Sequence, residues 1–351
     1  MPVRPLNRLP SMTTEAGSAR SAPTLEMVAA EAGVSRSTVS RVVNSSPKVS
    51  PDVLEAVQAA ITRLGYTPNR AARSLANRRT MAIALVVPED TSRFFGDPYF
   101  AAVVRGISRV LDASDYVLNL HLANPGPSQK TVDYLLSGSV DGAIVVSHHS
   151  SDRFLEKLGG SIPVVFGGHP LGPDADAGAY YVDVDNVAAA EAGVQYLIER
   201  GHTRIATITG QADMPAGIDR AAGWQRALAA GGLEPGPRVD GGFTMAGGAQ
   251  AMRELLDLGG FDAVFIASDL MTLGALSVIA ERGVRVPDDI AVLSFDDSPA
   301  AEAALVPLTT VRQPSEEMGE EMARMLLQRL RGEPTARTAI LPTDIVVRAS
   351  A

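Results

Sequence analysis

The feature of this sequence that most constrains its fold is a pair of short helices joined by a glycine near the start of the chain. Residues 24–33 have apolar side chains at helical spacing; Thr24 can cap the first turn, and Gly33 can end the helix. Residues 35–44 show the same spacing and begin at Ser35, another good capping residue. This order of signals predicts a helix, a glycine turn and a second helix.

The second helix has an apolar side and a polar side. Its apolar stripe consists of Val34, Val39, Val42 and Val43, and its polar side carries Arg36, Ser37, Ser40 and Arg41. A third helix is predicted from Pro51, after Ser50, to the residue before Gly65. Three short helices with a basic middle one favour a helix-turn-helix unit, whose second helix enters the major groove of DNA. A three-helix packing module with a solvated polar face is the alternative.

A longer motif distinguishes these alternatives. Residues 34–44 read V-S-R-S-T-V-S-R-V-V-N, and residues 65–75 read G-Y-T-P-N-R-A-A-R-S-L. Together, residues 24–79 resemble the N-terminal domain of the lactose-repressor family. The resemblance implies a sequence-specific DNA-binding regulator, most simply a repressor.

The resemblance also implies roles for individual residues in the helices. Arg36, Ser37 and Arg41 take the family's base-reading positions, and arginine suits guanine because O6 and N7 accept its paired donors. The expected phosphate contacts, which set register without reading sequence, are Thr24, Thr38, Lys48, Ser50 and Asn69. For Thr24 and Ser50, helix capping alone is a sufficient alternative explanation.

Residues 69–77 resemble the family's hinge helix, which orders when two protomers meet over DNA. This segment is short for a stable isolated helix, so ordering that depends on a partner is physically reasonable. Leu75 would be the wedge that enters the minor groove and unstacks two base pairs. The alternative for Leu75 is ordinary helix packing.

Charge and composition divide the chain into a basic end and an acidic body. Residues 22–80 hold eight Arg or Lys and four Asp or Glu, a net charge of +4, whereas residues 81–351 carry −15. The basic end would attract phosphates, and the acidic body would be repelled by them. The chain has no cysteine, so disulfides, thiolate metal sites and thiol nucleophiles are excluded.

The start and the end of the chain carry weaker signals. Residues 1–22 are polar and lack periodicity, so we expect them to be disordered, and they contain no apolar run typical of a secretory signal. A cytoplasmic protein without a membrane span is therefore expected. No leucine heptad precedes Ala351, which favours a homodimer over a tetramer.

From Met81 the pattern changes to alternating strands and helices. Strands are predicted at residues 82–87, 116–121, 142–147, 164–166, 204–209, 263–267 and 290–295, and helices at residues 99–113, 131–137, 187–200, 219–230, 247–258 and 270–282. Two similar α/β halves imply two parallel sheets that face a cleft. The pattern resembles the type I periplasmic sugar-binding fold that these repressors carry.

The expected domain organisation follows from these segments. Residues 1–22 form an extension, 23–68 the helix-turn-helix domain, 69–80 the hinge helix and linker, and 81–351 the core for effector binding and dimerisation. Within the core, an N-subdomain is expected at about residues 81–182 and 313–340, and a C-subdomain at about residues 183–312 and 341–351.

Ligands of open α/β sheets bind beyond the carboxyl ends of the strands, so residues that follow strands are candidates for a site. The resemblance implies that Arg220 and Asp296 bind effector hydroxyls and that Phe94, Phe95 and Phe243 stack on the apolar side of the effector. The full set of expected effector-binding residues is Phe94, Phe95, Ser147, Arg220, Phe243, Ser268, Asp296 and Gln313. Phe94 and Phe95 could instead be core residues.

The class of effector is less constrained than the site. Segments such as R-F-F-G-D-P-Y-F at residues 93–100 resemble the cellobiose-responsive actinobacterial branch of the family, which implies cellobiose or another β-glucoside. A purine or nucleoside, or a phosphoprotein corepressor, is the alternative, since aromatic rings also stack on bases. We expect no cofactor, no metal and no enzymatic activity, because no nucleophile elbow, phosphate loop or metal cluster is recognisable. His148 and His149 could be considered as a pair of metal ligands, but neighbouring side chains at the end of a strand point in opposite directions.

Overall fold

A computed structural model describes most of the chain in two separate units. The described residues are 23–43, 48–67, 79–123, 129–152, 158, 160–171 and 178–351. The chain divides into Met1–Arg78, here called the head, and Arg79–Ala351, here called the core. The predicted extension at residues 1–22 and the predicted hinge helix at residues 69–77 lie outside the described residues.

The head contains the three predicted helices. These are α1, Leu25–Ala32; α2, Arg36–Val43; and α3, Pro51–Leu64. Thr24 caps α1 by accepting the Met27 N–H at 3.4 Å, and Ser35 caps α2 by accepting the Thr38 N–H at 3.1 Å. The helices α1 and α3 end at glycines in the left-handed conformation, as the sequence predicts.

The apolar stripe of α2 holds the head together. Val39 and Val42 are buried in one cluster with Val28 of α1 and Val57 of α3. Because α2 is a single amphipathic helix, packing of this stripe leaves its opposite side exposed. The position of the predicted DNA-reading side chains therefore follows from where the valines pack.

The core contains two six-stranded sheets. The first has the order β11-β5-β4-β3-β1-β2, and all its neighbouring strands are parallel. Its strands are β1 Ala82–Val87, β2 Val117–Leu122, β3 Gly142–Val146, β4 Val164–Gly167, β5 Tyr181–Val184 and β11 Thr338–Leu341. Its helices are α4 Thr91–Gly96, α5 Pro98–Leu111, α6 Gln129–Leu136 and α12 Ser315–Arg331. We call this part the first subdomain.

The second sheet has the order β12-β10-β9-β8-β6-β7 and is parallel except for β12, which pairs antiparallel with β10. Its strands are β6 Ile205–Thr209, β7 Arg238–Asp240, β8 Ala263–Ile266, β9 Ala291–Asp296, β10 Thr309–Arg312 and β12 Asp344–Val346. Its helices are α7 Asn186–Glu199, α8 Pro215–Ala230, α9 Met245–Leu258, α10 Asp269–Glu281 and α11 Pro299–Ala303. We call this part the second subdomain.

Each sheet is covered on both faces, as a parallel sheet requires. Strand β1 is buried along its whole length, with Ile83 and Leu85 in one apolar cluster and Ala84 and Val86 in another. The second sheet likewise lies between two clusters. None of the helices in the described part of the chain is both long and apolar enough to cross a membrane.

The sequence-based elements agree with this architecture, with several additions. Helix α8 begins at Pro215 instead of at residue 219, and α4 lies in a segment where neither a helix nor a strand is predicted. The strands β5, β7, β10, β11 and β12 and the helices α11 and α12 were not predicted. Strand β5 belongs to the first sheet up to Val184, two residues beyond the expected limit of that subdomain.

Candidate functional site

A cavity lies between the two subdomains, at the carboxyl ends of the strands. Its empty volume, including space open to solvent, is about 670 Å³. Residues at or just after the ends of β1, β3, β4 and β5 line one wall, and residues at or after the ends of β6, β7, β8, β9 and β10 line the other. Six of the expected effector-binding residues line it: Ser147, Arg220, Phe243, Ser268, Asp296 and Gln313. Their contact with an effector stays a prediction.

Three of these residues adopt a backbone conformation that side chains other than glycine rarely take. Their φ angles are 59° for Ser147, 54° for Phe243 and 114° for Asp296. Each stands at the end of a strand or of the segment that follows it, where the chain turns away from the sheet. Backbone strain of this kind is maintained by surrounding structure and is concentrated at functional sites. The strain therefore supports the interpretation of this cavity as a functional site.

Arg220 is the centre of the second subdomain's wall. Its Nε donates to Asn186 at 2.9 Å, its Nη1 donates to the Ala267 carbonyl at 2.7 Å and to Asp296 at 3.2 Å, and its Nη2 donates to Gln313. These bonds use four of the five guanidinium N–H groups. The Phe295 ring lies 3.6 Å from Cζ. Arg220 therefore holds this wall in place and retains one donor.

Asp296 is a partly buried carboxyl group next to this arginine, with 17% of its side chain exposed. Burial raises the pKa of Asp296 well above its usual value, and the Arg220 guanidinium opposes that rise. The Asp296 backbone is linked to Gln313, whose N–H donates to the Asp296 carbonyl at 3.1 Å. A carboxyl group held in this way can accept a hydrogen bond from a ligand hydroxyl or donate one when it is protonated.

In the first subdomain's wall, Phe94 and Phe95 were expected to contact the effector. The wall has other residues because the segment Thr91–Gly96 forms the helix α4. Asp90 caps it by accepting the Arg93 N–H at 3.0 Å. The helix turns Arg93 into the cavity. Phe94 lies in the apolar cluster of the first subdomain with its ring 5.2 Å from that of Phe100, and Phe95 is 76% exposed. Neither phenylalanine lines the cavity, contrary to expectation.

Phe243 is the aromatic residue of the expected set that does line the cavity. Its ring lies over Gly210, where a Cβ atom would be 2.0 Å from the ring carbons Cε2 and Cζ. Glycine is therefore required at this position for the ring to take its place. The ring centroid is 5.5 Å from Arg93 Cζ and 6.0 Å from Arg220 Cζ. One guanidinium from each subdomain thus lies near the same ring.

Two histidines connect the subdomains beside the cavity. His149, after β3, lies 3.2 Å from Glu89 and 3.0 Å from Asp213, which belongs to the second subdomain. His169, after β4, lies 3.1 Å from Asp183 and 3.6 Å from Asp219 of α8. These pairs require the two walls to be close together.

His148 and His149 contact different partners. His148 is buried and its Nε2 is 3.1 Å from the His169 carbonyl oxygen. Burial lowers the pKa of His148 to about 4. Within the described ranges, no group of three or more His, Cys, Asp or Glu side chains is placed to hold a metal ion.

Several cavity residues were missed by the sequence analysis. Besides Arg93, they include Asp97, Tyr99, Asp183, Asn186 and Met214. Asp183 accepts from Asn186 at 3.0 Å and from the His169 N–H at 2.9 Å. Recognition of β5 as a strand would have identified Asp183 and Asn186, because both lie at its carboxyl end.

The head presents the expected DNA-reading side chains on its surface. Arg36, Ser37 and Arg41 are exposed on α2, and Arg36 Nε lies 3.1 Å from Glu26 Oε1 of α1. Ser37 and Thr38 hydroxyls each lie 2.8 Å from the Ser35 hydroxyl. Their roles on DNA remain predictions.

The expected phosphate contacts differ in what the structure shows of them. Thr24 is a capping residue of α1, whereas Ser50 stands before α3 without a side-chain capping hydrogen bond, and Lys48 is exposed. Helix capping therefore explains the Thr24 hydroxyl but not the Ser50 hydroxyl. Asn69, and Leu75 as the expected minor-groove wedge, lie outside the described residues.

Comparisons with known proteins agree with both units. Residues 24–69 match the lacI family of bacterial regulatory proteins, and residues 194–351 match a periplasmic binding protein-like domain. The HTH-type transcriptional regulator CelR of Thermobifida fusca is 47% identical over 339 residues, which cover 94% of this chain and 99% of CelR.

Solved structures of regulators also match this chain over most of its length. A transcriptional regulator CelR-cellobiose complex has a TM-score of 0.73 and 45% identity, covering 94% of this chain and all of that one. The lac repressor dimer bound to operator and the anti-inducer ONPF has a TM-score of 0.83 and 28% identity, covering 94% of this chain and 99% of that one. With its helix-turn-helix head and its two-subdomain core, the chain belongs to the lacI family of bacterial transcriptional regulators.

Proposed function

We propose that this regulator is a cytoplasmic homodimeric repressor whose affinity for a palindromic operator is controlled by cellobiose or another small β-glucoside. The observation that carries the effector assignment is the cavity between the subdomains, where Arg220, Asp296 and Gln313 form one polar network beside Phe243. Sugar rings need hydrogen-bond donors and acceptors in fixed directions together with an apolar surface. The similarity of the chain to CelR, and to the structure of CelR with cellobiose, supports the same assignment.

The proposed DNA contacts come from the exposed side of α2. Arg36 would read a guanine in the major groove, and Ser37 and Arg41 would complete the base contacts. One head of this size supplies little affinity. Two heads in a dimer bind the half-sites of a palindrome together, with a shared local concentration.

The proposed control is a coupling between the cavity and the DNA-binding heads. An effector changes operator affinity only if it prefers one of two arrangements of the protein, and the coupling must act in both directions. The cross-cleft pairs of His149 with Asp213 and of His169 with Asp219 belong to a closed arrangement. A ligand that contacts both walls would favour this arrangement.

The test is operator binding measured by fluorescence anisotropy, with a palindrome that has a central CG step, in the absence and presence of cellobiose. We expect cellobiose to change the operator affinity. Tight operator binding that cellobiose leaves unchanged would reject the effector assignment and retain the DNA-binding one. A nucleoside that binds in a calorimetric screen where sugars do not would favour the alternative effector class. Steady hydrolysis of a glycoside by the pure protein would contradict the expectation that it has no enzymatic activity.

A further inference from the structure

We propose that Arg93 is a second effector-binding arginine, which donates hydrogen bonds from the first subdomain to oxygen atoms of an uncharged sugar. This inference rests on the proposed sugar-responsive function and adds to it a residue and a charge preference. Arg93 lines the cavity and is 9% exposed.

The donors of Arg93 are largely unused. Among the described residues, none accepts a hydrogen bond from Nε, and Nη2 has only the Met214 sulfur at 3.7 Å. Nη1 lies 2.9 Å from Glu89 Oε1, but its N–H groups are not aligned with that oxygen. A buried N–H without an acceptor costs free energy, and a ligand oxygen at this position would remove the cost. Arg220 differs, because protein acceptors already take four of its five N–H groups.

The charge of Arg93 is already compensated within the protein. Glu89 is buried, pairs with Arg93, and accepts a hydrogen bond from the Ser147 hydroxyl at 2.7 Å. The charge of Arg220 is likewise paired with a carboxylate, that of Asp296. Asp97 and Asp183 add two further carboxyl groups to the lining. An anionic ligand would therefore meet no uncompensated cation and several carboxyl groups. Neutral hydroxyl and ether oxygens can accept from Arg93 without that repulsion.

The contacts of Arg93 also depend on whether the cleft between the two subdomains is closed. Its contacts with Met214 and with the Phe243 ring are both made to the second subdomain. A sugar that lies against Phe243 can reach one guanidinium from each wall, so it gains the Arg93 contacts only when the walls are together. Such a residue gives the effector a differential affinity for the closed arrangement, which control of operator binding requires.

The experiment is calorimetric titration of the full-length protein with cellobiose. We compare the wild type with Arg93→Lys, which keeps the charge but loses the paired donors, and with the double variant Glu89→Gln/Arg93→Gln, which leaves no buried unpaired charge. The matched control is Arg109→Gln, an exposed arginine that pairs with Glu316 and Glu320 on the surface. We expect the dissociation constant to rise about tenfold or more in both Arg93 variants and to stay unchanged in the control.

The outcomes separate this inference from the proposed function. Wild-type affinity for cellobiose in either folded Arg93 variant would overturn the role of Arg93. Cellobionate, which carries a carboxylate, should bind at least about tenfold more weakly than cellobiose, and equal binding would overturn the preference for an uncharged sugar. If the wild type instead binds D-ribose or cytidine and not cellobiose, the proposed effector is wrong. The same variants, titrated with the ligand that does bind, then decide the role of Arg93.

Discussion

The two walls of the cavity each place an arginine near the same aromatic ring, but the two arginines differ in how many of their N–H groups already have partners. Arg220 in the second subdomain is fixed by Asn186, the Ala267 carbonyl, Asp296 and Gln313. Arg93 in the first subdomain is buried beside Glu89 and keeps most of its donors. The second wall is thus complete before a ligand arrives, whereas the first is completed by one. Under the proposed function, the second wall offers contacts that are already fixed, and the first wall gains its contacts when the ligand binds.

The largest effect expected from this comparison follows the loss of Arg220. Arg220→Met leaves the partly buried Asp296 and the buried Gln313 without their partner, and breaking a buried ion pair costs about 3–5 kcal/mol. We expect a loss of this size in the free energy of unfolding, measured by urea denaturation, together with loss of cellobiose binding. The Glu89→Gln/Arg93→Gln variant removes both members of its pair and should be destabilised less. Equal destabilisation of the two variants would contradict the distinction between the walls.

The second prediction separates the cavity from the DNA-binding surface. Arg36→Ala should lower specific operator affinity by about 1–3 kcal/mol and relax the preference at one base of each half-site. It should leave cellobiose affinity unchanged, in contrast to changes in either wall. Anisotropy on a set of operator variants measures the first effect, and calorimetry measures the second. Equal losses on operator and random DNA would instead identify Arg36 as a phosphate contact.

The third prediction tests the ring that the two arginines share. Gly210→Ala places a Cβ atom where the Phe243 ring lies, so the ring must leave its position. We expect cellobiose affinity to fall by roughly tenfold, the scale of one lost aromatic contact. Gly96→Ala is the matched control, because a Cβ atom at Gly96 meets nothing within 4 Å. If Gly210→Ala binds cellobiose as tightly as the control does, Phe243 is not part of the ligand site.

The sequence predicted the two walls unequally for a physical reason. Arg220 lies in a predicted helix and Asp296 follows a predicted strand, so both the strand-end rule and the family resemblance selected them, and both line the cavity. Arg93 lies in α4, a helix of six residues that is too short to show a period. Only the helical turn determines that Arg93 faces the cavity while Phe95 faces solvent. Charged residues are also rarely buried, so the two phenylalanines were the more natural candidates.

The head was predicted more completely than the cavity because its signals are local. Capping residues, glycine ends and one apolar stripe specify α1, α2 and α3 without information from distant parts of the chain. The cavity instead combines residues more than a hundred positions apart, such as Arg93 and Met214. Such residues come together only because the two subdomains face each other, and the spacing of residues along the sequence does not predict that arrangement.

The smallest expected effect concerns the histidine that joins the walls. His149 contacts Glu89 in its own subdomain and Asp213 across the cleft, Asp152 accepts its backbone N–H, and the adjacent His148 is neutral above its pKa of about 4. The hydrogen bond to Glu89 raises the pKa of His149, burial opposes the rise, and Asp213 adds to it. Opening removes Asp213 and so lowers this pKa. Protonation therefore favours the closed arrangement, and its contribution disappears as the pH rises through the raised pKa.

We accordingly expect cellobiose affinity to decrease by about two- to fivefold between pH 6 and pH 8.5, the size of an ion pair with a partly exposed partner. Asp213→Asn should remove much of this dependence while Glu89 still holds His149 in the first wall. The second cross-cleft contact, between His169 and Asp219, is left in place by this substitution. If Asp213→Asn keeps the full pH dependence, the first wall does not use His149 to sense closure, and the difference between the walls then rests on Arg93 alone.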